Sequence, residues 1–323
     1  MHKIAFIIPY FGKLPKEFEL WLISCSYNRN FNWIIFTDDQ TQYNYPANVH
    51  VIYKTFEQIK ELLQNKFSFE ICLNSPYKLC DYKPAYGDLF QEYIKEYDFW
   101  GHCDIDLIWG DLSVFITPEV LDNYDRIFAR GHCTLYRNNS NVNSWYRTLG
   151  KCNGIDYKTV FTSDYSYAFD EGGGSLKWGG MNKLVKIKNK KCYNEIFFDD
   201  ICIQYSNFVS YRDVEESKEF IKRPAAYIFN KGKLYKNVLD GDRIEVTESM
   251  YVHFQKRKMN LNIEDFSNVD KFIMFPNRYE EWFEINNNFL KKMCKHKIFY
   301  WHFIELRFKN LKKKLLRRIT RRN

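Results

Sequence analysis

The chain has 323 residues, of which 45% are hydrophobic and 27% charged, and this composition excludes a disordered or low-complexity protein. Its formal net charge is +8, but residues 291–323 hold 13 Lys and Arg against one acid, while the remainder holds 35 basic and 39 acidic residues. The body is therefore slightly acidic, and we expect no nucleic acid as a partner.

The cysteines and the start of the chain indicate the compartment. The nine cysteines are odd in number and form no Cys-x-x-Cys pair, which favours reduced thiols over a disulfide framework or a zinc site. The first apolar run, residues 4–8, is too short for a secretory signal, and no run reaches the ~18 residues of a membrane span. We therefore expect a cytoplasmic protein.

The first 110 residues alternate predicted strands and helices, as α/β proteins do. Short apolar runs predict buried strands at 3–9, 32–39, 49–53 and 99–105. Helices are predicted at 17–25, at 55–67 with Thr55 as N-cap, and at 85–96. Continuous apolar runs favour a mainly parallel sheet covered on both faces, whose ligands bind at the carboxyl ends of the strands. Acids at 38, 39, 104 and 106 fall at those ends.

The rest of the chain has a more mixed pattern. Strands are predicted at 126–129 and 227–229 and loops at 171–174 and 178–180, and helix is predicted to dominate from about 269. We expect one α/β domain over residues 1–265 and a helical C-terminal extension over 266–323.

The clearest functional pattern is Asp104-Ile105-Asp106, which follows the predicted strand 99–105. Mg²⁺ and Mn²⁺ bind one or two carboxylates together with substrate phosphates, so a metal held there would neutralise a departing nucleotide diphosphate. The motif by itself is weak. A pair of loop-capping acids is the alternative, although the flanking residues are apolar and aromatic.

Around this motif the chain resembles a family, the nucleotide-sugar glycosyltransferases of the GT-A fold. It resembles more narrowly the glycosyltransferase-like proteins found with bacterial capsule and lipopolysaccharide synthesis genes. The matching segments are 7–15 (IIPYFGKLP), 33–38 (WIIFTD), 82–88 (YKPAYGD), 101–111 (GHCDIDLIWGD) and 251–258 (YVHFQKRK). The resemblance implies a Rossmann-like mixed sheet flanked by helices, Mn²⁺ or Mg²⁺ as cofactor, and transfer from a nucleotide-sugar donor, with a UDP-sugar favoured.

The resemblance also implies roles for single residues. The donor-side set, which would line the nucleotide pocket or contact base, ribose or diphosphate, is Pro9, Tyr10, Phe11, Thr37, Asp38, Lys83, Asp88 and Asp104. The metal set is Asp104, Asp106 and His253. Lys256, Arg257 and Lys258 would clamp the diphosphate beside that metal. For each of these residues a structural role is the alternative: a loop exit, a turn cap, a core histidine or a solvated surface charge.

An inverting transfer needs a carboxylate that takes the proton of the acceptor hydroxyl. Asp170 and Glu171, which precede three glycines, are the first candidates, and Asp199 and Asp200 are the second. A retaining transfer needs no such base, so the stereochemistry stays open. Residues 178–181 (WGGM) would form an aromatic platform for an acceptor sugar, or pack in the core.

The C-terminal segment predicts an amphipathic helix. Apolar residues recur at helical spacing while Lys and Arg fill the other positions; the apolar set is Trp301, Ile304, Phe308, Leu311, Leu315 and Ile319. Such a helix lies on an anionic membrane surface, and the alternatives are packing on the body or a nucleic-acid contact. We therefore expect a peripheral protein at the cytoplasmic face, acting on a glycan or a lipid-linked glycan acceptor of a surface polysaccharide.

Two functions of other classes compete with this interpretation. One is a non-catalytic adaptor whose tail binds membrane or nucleic acid. The other is a metal-dependent sugar nucleotidyltransferase, which would share the α/β body and the paired acids but release pyrophosphate.

Overall fold

The computed structural model describes residues 2–152, 154–172, 179–203, 205, 208, 210–214, 217–221, 223–295 and 301–320. Strands and helices are interspersed up to residue 187, described strands follow one another from residue 192 to residue 281, and the mixture of both confirms the predicted α/β class. The strands are β1 (Ile4–Pro9), β2 (Phe31–Thr37), β3 (Val49–Tyr53), β4 (Phe99–Cys103), β5 (Leu107–Trp109), β6 (Arg126–Arg130), β7 (Cys133–Arg137), β8 (Cys192–Tyr193), β9 (Phe198–Ile201), β10 (Ser210–Val214), β11 (Ser217–Ile221), β12 (Ala225–Asn230), β13 (Lys233–Asp240), β14 (Arg243–Ser249), β15 (Tyr251–His253), β16 (Asn260–Asn262), β17 (Lys271–Phe275) and β18 (Arg278–Glu281).

The helices of the described residues are mostly short. They are α1 (Phe18–Ser26), α2 (Phe56–Gln64), α3 (Tyr86–Leu89), α4 (Gln91–Ile94), α5 (Leu112–Phe115), α6 (Pro118–Asn123), α7 (Ser140–Asn143), α8 (Tyr157–Phe161), α9 (Met181–Ile187), α10 (Asn287–Lys295) and α11 (Trp301–Thr320), with 3₁₀ helices at Pro76–Ala85 and Trp145–Cys152. None of these helices combines the length and the low charge needed to cross a bilayer.

The contacts divide the chain into two compact units. Unit 1 comprises Met1–Ile105 and Leu112–Ile196, and unit 2 comprises Asp106–Asp111 and Phe197–Asn323. The chain therefore passes from one unit to the other inside the Asp-x-Asp motif. This division differs from a boundary at residue 265, because β12 and β17, which lie on either side of it, pair in one sheet of unit 2.

Unit 1 contains a seven-stranded sheet in the order β3-β2-β1-β4-β7-β6-β8. Its first four strands are parallel, as the continuous apolar runs predict. Strand β7 runs antiparallel to β4 and to β6, so the other half of the sheet is mixed. The carboxyl ends of β1, β2 and β4 consequently lie along one edge of the sheet.

Burial of apolar side chains explains why the parallel half forms. Ala5, Phe6 and Ile7 of β1 are fully buried, and each large side chain of this kind contributes roughly 1.5–3 kcal/mol. Gly101 of β4 allows the neighbouring strand to approach closely, since an added Cβ would lie 2.5 Å from the carbonyl oxygen of Thr134. Helix α2 packs against this core and begins at the predicted N-cap, Thr55, in a reciprocal capping box with Gln58.

Unit 2 contains a five-stranded sheet, β11-β10-β9-β15-β5, and a six-stranded sheet, β14-β13-β12-β17-β18-β16. Helix dominates after residue 269 as predicted, but only from α10 onward, because β17 and β18 come first. Phe272, Ile273, Met274 and Phe275 are buried together in β17, and an apolar run of that length fits a buried strand as well as a helix. The helical part begins at α10.

The predicted helix 85–96 is also wrong in its extent. The structure has two four-residue helices, α3 and α4, separated by Phe90, whose backbone leaves the helical region at φ −107° and ψ 23°. Phe90 is fully buried and packs its ring on Phe36 with 4.8 Å between centroids. Tertiary packing therefore overrides the helical pattern at this point.

A buried ion pair anchors the segment that leads to Asp170. Lys78 Nζ lies 2.8 Å from Asp81 Oδ2, and both side chains are buried. Lys78 also donates to the carbonyl oxygen of Val160, and Asp81 accepts from the backbone N–H groups of Tyr167 and Phe169. The ion pair thus holds residues 160–169 against the 3₁₀ helix Pro76–Ala85, which contains both charged residues.

We expect Lys78→Met to lower the free energy of unfolding by about 3–5 kcal/mol, because Asp81 keeps its buried charge without its partner. Lys60 forms an exposed pair with Glu57 at the same spacing, with 3.9 Å between charged atoms, and serves as the control. Lys60→Met should change the free energy of unfolding by less than about 0.5 kcal/mol. Urea denaturation measures both, and equal effects would contradict the assignment of the buried pair.

Candidate functional site

Acids after β2 organise the loops at the carboxyl edge of unit 1. Asp38 Oδ1 accepts from the backbone N–H of Gly12 at 2.8 Å, and Asp39 Oδ2 accepts from that of Leu14 at 2.8 Å. Both acids therefore tie the loop after β1 to the end of β2. Asp38 is also exposed, which leaves it accessible to a ligand.

Three residues follow β1 or end it at the same edge: Pro9, Tyr10 and Phe11 are partly exposed. Phe11 contacts the ring of Phe56 edge-on, with 5.5 Å between centroids. Thr37, in contrast, is fully buried, and its hydroxyl accepts from the N–H of Asp39 at 3.1 Å. The structure thus brings these predicted donor-side residues together, and their contact with a nucleotide stays a prediction.

Lys83 and Asp104 form the centre of the group in unit 1. Lys83 Nζ donates to Asp104 Oδ1 and to the carbonyl oxygen of Gly131, each at 2.7 Å. The lysine side chain is 9% exposed and the aspartate side chain 38%. Burial by itself would lower the pKa of Lys83, but the carboxylate of Asp104 holds that pKa well above its usual value. Lys83 therefore stays charged and presents Asp104 at the surface.

Asp170 and Glu171 converge on Gly131 as well. An added Cβ at Gly131 would lie 2.5 Å from Asp170 Oδ2 and 3.1 Å from Glu171 Oε1, so a larger residue there would displace these carboxylates. The N–H of Gly131 donates to Glu171 Oε1. Asp170 is buried, and burial raises its pKa to about 7, opposed by the charge of Lys83 and reinforced by Glu171. A carboxyl group with that pKa can both give and take a proton near neutral pH.

Two further basic residues support this group from the core side. Arg126 is buried and donates to Asn182 Oδ1 at 2.8 Å and to the carbonyl oxygen of Asp170 at 3.4 Å. His102 is buried, and burial together with the charge of Lys83 lowers its pKa well below the usual value. Its neutral ring donates through Nδ1 to the carbonyl oxygen of Gly131 at 3.1 Å. Sequence reasoning missed both residues; for His102 the available signal was the Gly-His-Cys triplet at 101–103, which recurs at 131–133.

Asp88 lies in unit 1 and contacts two residues of the same unit. Its Oδ2 accepts from Tyr146 Oη at 2.7 Å and from Arg147 Nη2 at 2.6 Å. These contacts explain the position of Asp88 by packing of α3 on the 3₁₀ helix Trp145–Cys152. A contact of Asp88 with a donor stays a prediction.

In unit 2 a histidine lies between two carboxylates. His253 Nε2 is 3.2 Å from Asp106 Oδ1, and His253 Nδ1 is 2.9 Å from Asp200 Oδ1. Burial opposes protonation of this ring, but Asp106 and then Asp200 hold the pKa of His253 well above its usual value. The predicted metal ligands Asp106 and His253 are therefore adjacent in one unit.

The second pair of candidate bases has other partners. Asp199 is buried against Lys236 Nζ at 2.5 Å, and Asp200 is buried against His253. Asp199 and Asp200 accept hydrogen bonds from Lys236, His253 and Gln255, which all belong to unit 2. A structural role therefore accounts for Asp199, and Asp200 belongs with the histidine.

The basic residues after His253 have different environments. Lys256 and Lys258 are exposed, whereas Arg257 is buried and donates to the carbonyl oxygens of Tyr205, at 2.8 Å, and Pro276. Backbone packing thus accounts for Arg257. The proposed diphosphate contact of the two lysines stays a prediction.

Some predicted features lie outside the described residues, namely Gly173, Gly174 and Trp178. Helix α11 is described, and Trp301, Phe308 and Leu311 on it are exposed by 66%, 69% and 53%. Nothing is described of the side chains of Leu315 and Ile319.

The fold and these groups define a mixed α/β protein with acidic residues at the carboxyl edge of a parallel half-sheet. Over residues 6–283 the chain matches the model of a family described as a family of unknown function, DUF6625. That range covers most of the chain, so the protein belongs to this family. The comparison with curated proteins found no match.

We expect the pKa of Asp170 to make stability depend on pH. The pKa of Asp170 is about 7 in the folded state, against about 3.9 for an aspartate in an unfolded chain. The folded state therefore binds more protons between these values, and the free energy of unfolding falls as pH rises through this range. Asp170→Asn should match the wild type near pH 4 and exceed it near pH 8 by an amount on the order of a few kcal/mol.

Chemical denaturation of both proteins across that pH range checks this expectation. Glu96→Gln, at an exposed position, is the control and should follow the wild type throughout. Parallel pH profiles for the wild type and Asp170→Asn would contradict a raised pKa at Asp170.

Proposed function

We propose that this protein is a metal-dependent glycosyltransferase of GT-A type that transfers one sugar from a nucleotide-sugar donor to a surface-polysaccharide acceptor. The observation that carries the proposal is the Asp-x-Asp motif. Asp104 follows a parallel strand at the ligand-binding edge, and Asp106 lies beside His253. Two acids and an imidazole are ligands that suit Mn²⁺ or Mg²⁺.

The distance in unit 2 fits a divalent cation. Ligand atoms that each lie about 2.1 Å from a metal are about 3 Å apart when they are neighbours in an octahedron. The separation of His253 Nε2 and Asp106 Oδ1, 3.2 Å, agrees with that value. Asp104 stands two residues before Asp106, so the chain itself keeps their backbones within about 7 Å. We assign Asp106 and His253 as the residues of unit 2 that would hold the metal, and Asp104 stays the third ligand that the resemblance implies.

The chain's own residues supply the remaining chemistry. A bound divalent cation would neutralise charge on the departing nucleotide diphosphate. Lys83 keeps Asp104 oriented at the edge of the sheet through its 2.7 Å ion pair. Asp170, with a pKa of about 7, would accept the proton of the acceptor hydroxyl while that oxygen bonds to the anomeric carbon and the sugar–phosphate bond breaks. This assignment of the base applies to an inverting transfer.

The partners follow from the same proposal. We favour a UDP-sugar as donor and a lipid-linked glycan as acceptor. The exposed apolar residues of α11, with Arg307, Lys309 and Lys312 also exposed, support attachment to an anionic membrane surface. The enzyme would then act at the cytoplasmic face, where a lipid-linked acceptor is accessible.

Donor binding tests the proposal directly. We expect one class among UDP-, GDP-, CMP- and dTDP-sugars to raise the melting temperature only when Mn²⁺ is present. A ligand at 100 times its Kd adds about 2.7 kcal/mol to the free energy of unfolding. Asp106→Ala should abolish this shift, since it removes a ligand of the metal.

Asp270→Ala is the control, because Asp270 is a half-exposed acid of unit 2 that pairs with Lys231 at 3.4 Å. Its shift should equal that of the wild type. Absence of a shift with every nucleotide sugar would sink the transferase proposal and favour the adaptor. A shift with a nucleoside triphosphate, accompanied by pyrophosphate release from a sugar phosphate, would favour the nucleotidyltransferase.

Membrane attachment is tested with vesicles that contain anionic lipid. Arg307→Glu, Lys309→Glu and Lys312→Glu together should lower the vesicle-bound fraction, because each basic residue near the surface contributes about 1 kcal/mol. We expect a partition constant at least about 100-fold lower in co-sedimentation. The triple reversal Lys16→Glu, Lys66→Glu and Lys95→Glu changes exposed residues of unit 1 by the same total charge and should bind as the wild type does. Equal loss in both triples would contradict a specific role of α11.

A further inference from the structure

Sheet pairing in unit 2 places His253 between two acid-bearing segments. His253 lies in β15, and its register partner in the parallel strand β9 is Asp200. On the other side β15 pairs with β5, and the N–H of Phe254 donates to the carbonyl oxygen of Asp106 at 2.9 Å. The backbone therefore brings one carboxylate to each side of the imidazole.

The two nitrogens of His253 differ in their surroundings. Nδ1 lies 2.9 Å from Asp200, which is 6% exposed, while Nε2 lies 3.2 Å from Asp106, whose side chain is 35% exposed. The carboxylate of Asp200 only accepts hydrogen bonds, so it favours a proton on Nδ1. Nε2 then faces Asp106, the more exposed acid, and this is the side on which the ring of His253 would meet a cation.

Gln255 restrains the carboxylate of Asp200. Its Nε2 donates to Asp200 Oδ1 at 2.8 Å, the same oxygen that contacts His253. An oxygen held by two donors in a buried position is suited to orienting a ring and poorly suited to receiving a proton from an acceptor sugar. The sequence made Asp200 a candidate catalytic base, whereas these contacts favour a role in orienting His253.

We propose that Asp200 is a positioning residue that orients His253 so that Nε2 faces Asp106 and a divalent cation. The inference rests on the proposed function, since it concerns the same metal. Carboxylates that accept from the second nitrogen of a metal-binding histidine change metal affinity by about 10–100-fold when they are removed. Asp200 would thus set the affinity of the site without binding the metal.

Asp199 provides a matched control. It is adjacent to Asp200 in β9 and equally buried, but its carboxylate pairs with Lys236 and lies 3.5 Å from Ser249 Oγ. Removal of its charge leaves Lys236 buried without a partner, which lowers stability. It leaves the contacts of His253 unchanged.

Isothermal titration of the full chain with Mn²⁺ alone tests the inference. We expect Asp200→Asn to bind Mn²⁺ about 10–100-fold more weakly than the wild type. Asp199→Asn should bind Mn²⁺ as the wild type does while melting at a lower temperature. Wild-type affinity in a folded Asp200→Asn protein would overturn the inference, as would an equal loss of affinity in both variants.

Gln255→Ala is the second variant, for the case that Asp200→Asn does not fold. It frees the carboxylate to rotate, and we expect a several-fold loss of Mn²⁺ affinity; no change would overturn the inference. A wild-type protein that binds no Mn²⁺ would overturn the proposed function itself. The two failures are therefore distinguishable, because one appears in the wild type and the other only in the variants.

Discussion

The ion pair between Lys83 and Asp104 is the interaction on which the candidate site of unit 1 depends. A lysine 9% exposed keeps its charge only because a carboxylate lies 2.7 Å away, and that carboxylate is held at the end of β4 by the same contact. The carbonyl oxygen of Gly131 accepts from Lys83 and from His102, and its N–H donates to Glu171. One glycine peptide thus joins the basic and the acidic residues. The carboxylate of Asp170 lies beside the same glycine, since an added Cβ there would be 2.5 Å from Asp170 Oδ2.

Other buried charged residues of the described chain are also paired with a residue of opposite charge. Lys78 with Asp81, and Lys236 with Asp199, are buried pairs in units 1 and 2, and each pins segments distant in sequence. Such pairs cost solvation, so they contribute more to a single arrangement of the chain than to net stability. Asp170 differs from them, since its carboxyl adapts by a raised pKa. Its raised pKa suits Asp170 to proton transfer, whereas the paired residues are suited to stabilising one arrangement of the chain.

The passage of the chain between the units gives the Asp-x-Asp motif a specific meaning. Asp104 lies near the end of the first segment of unit 1, and Asp106 begins the short segment of unit 2 that contains β5, the strand that pairs with β15. The motif therefore lies where the chain passes from unit 1 to unit 2. Membership of a family of unknown function over residues 6–283 places the motif and His253 within the matched range.

Short-range patterns in the sequence determined the α/β class, the parallel strands β1 to β4, the cap of α2 at Thr55 and the acids at the carboxyl edge, because continuous apolar runs and capping residues act locally. They did not determine the strand β17, which has the apolar character of a buried helix, or the break at Phe90, which packing on Phe36 imposes. Only the tertiary structure decided which acids are paired. Asp199 and Asp200 are adjacent in sequence, but alternation along a strand turns one to Lys236 and the other to His253. Contacts of that kind join residues about 40 to 50 positions apart, as Gly131 with Glu171 and Asp200 with His253 do, and no local pattern encodes them.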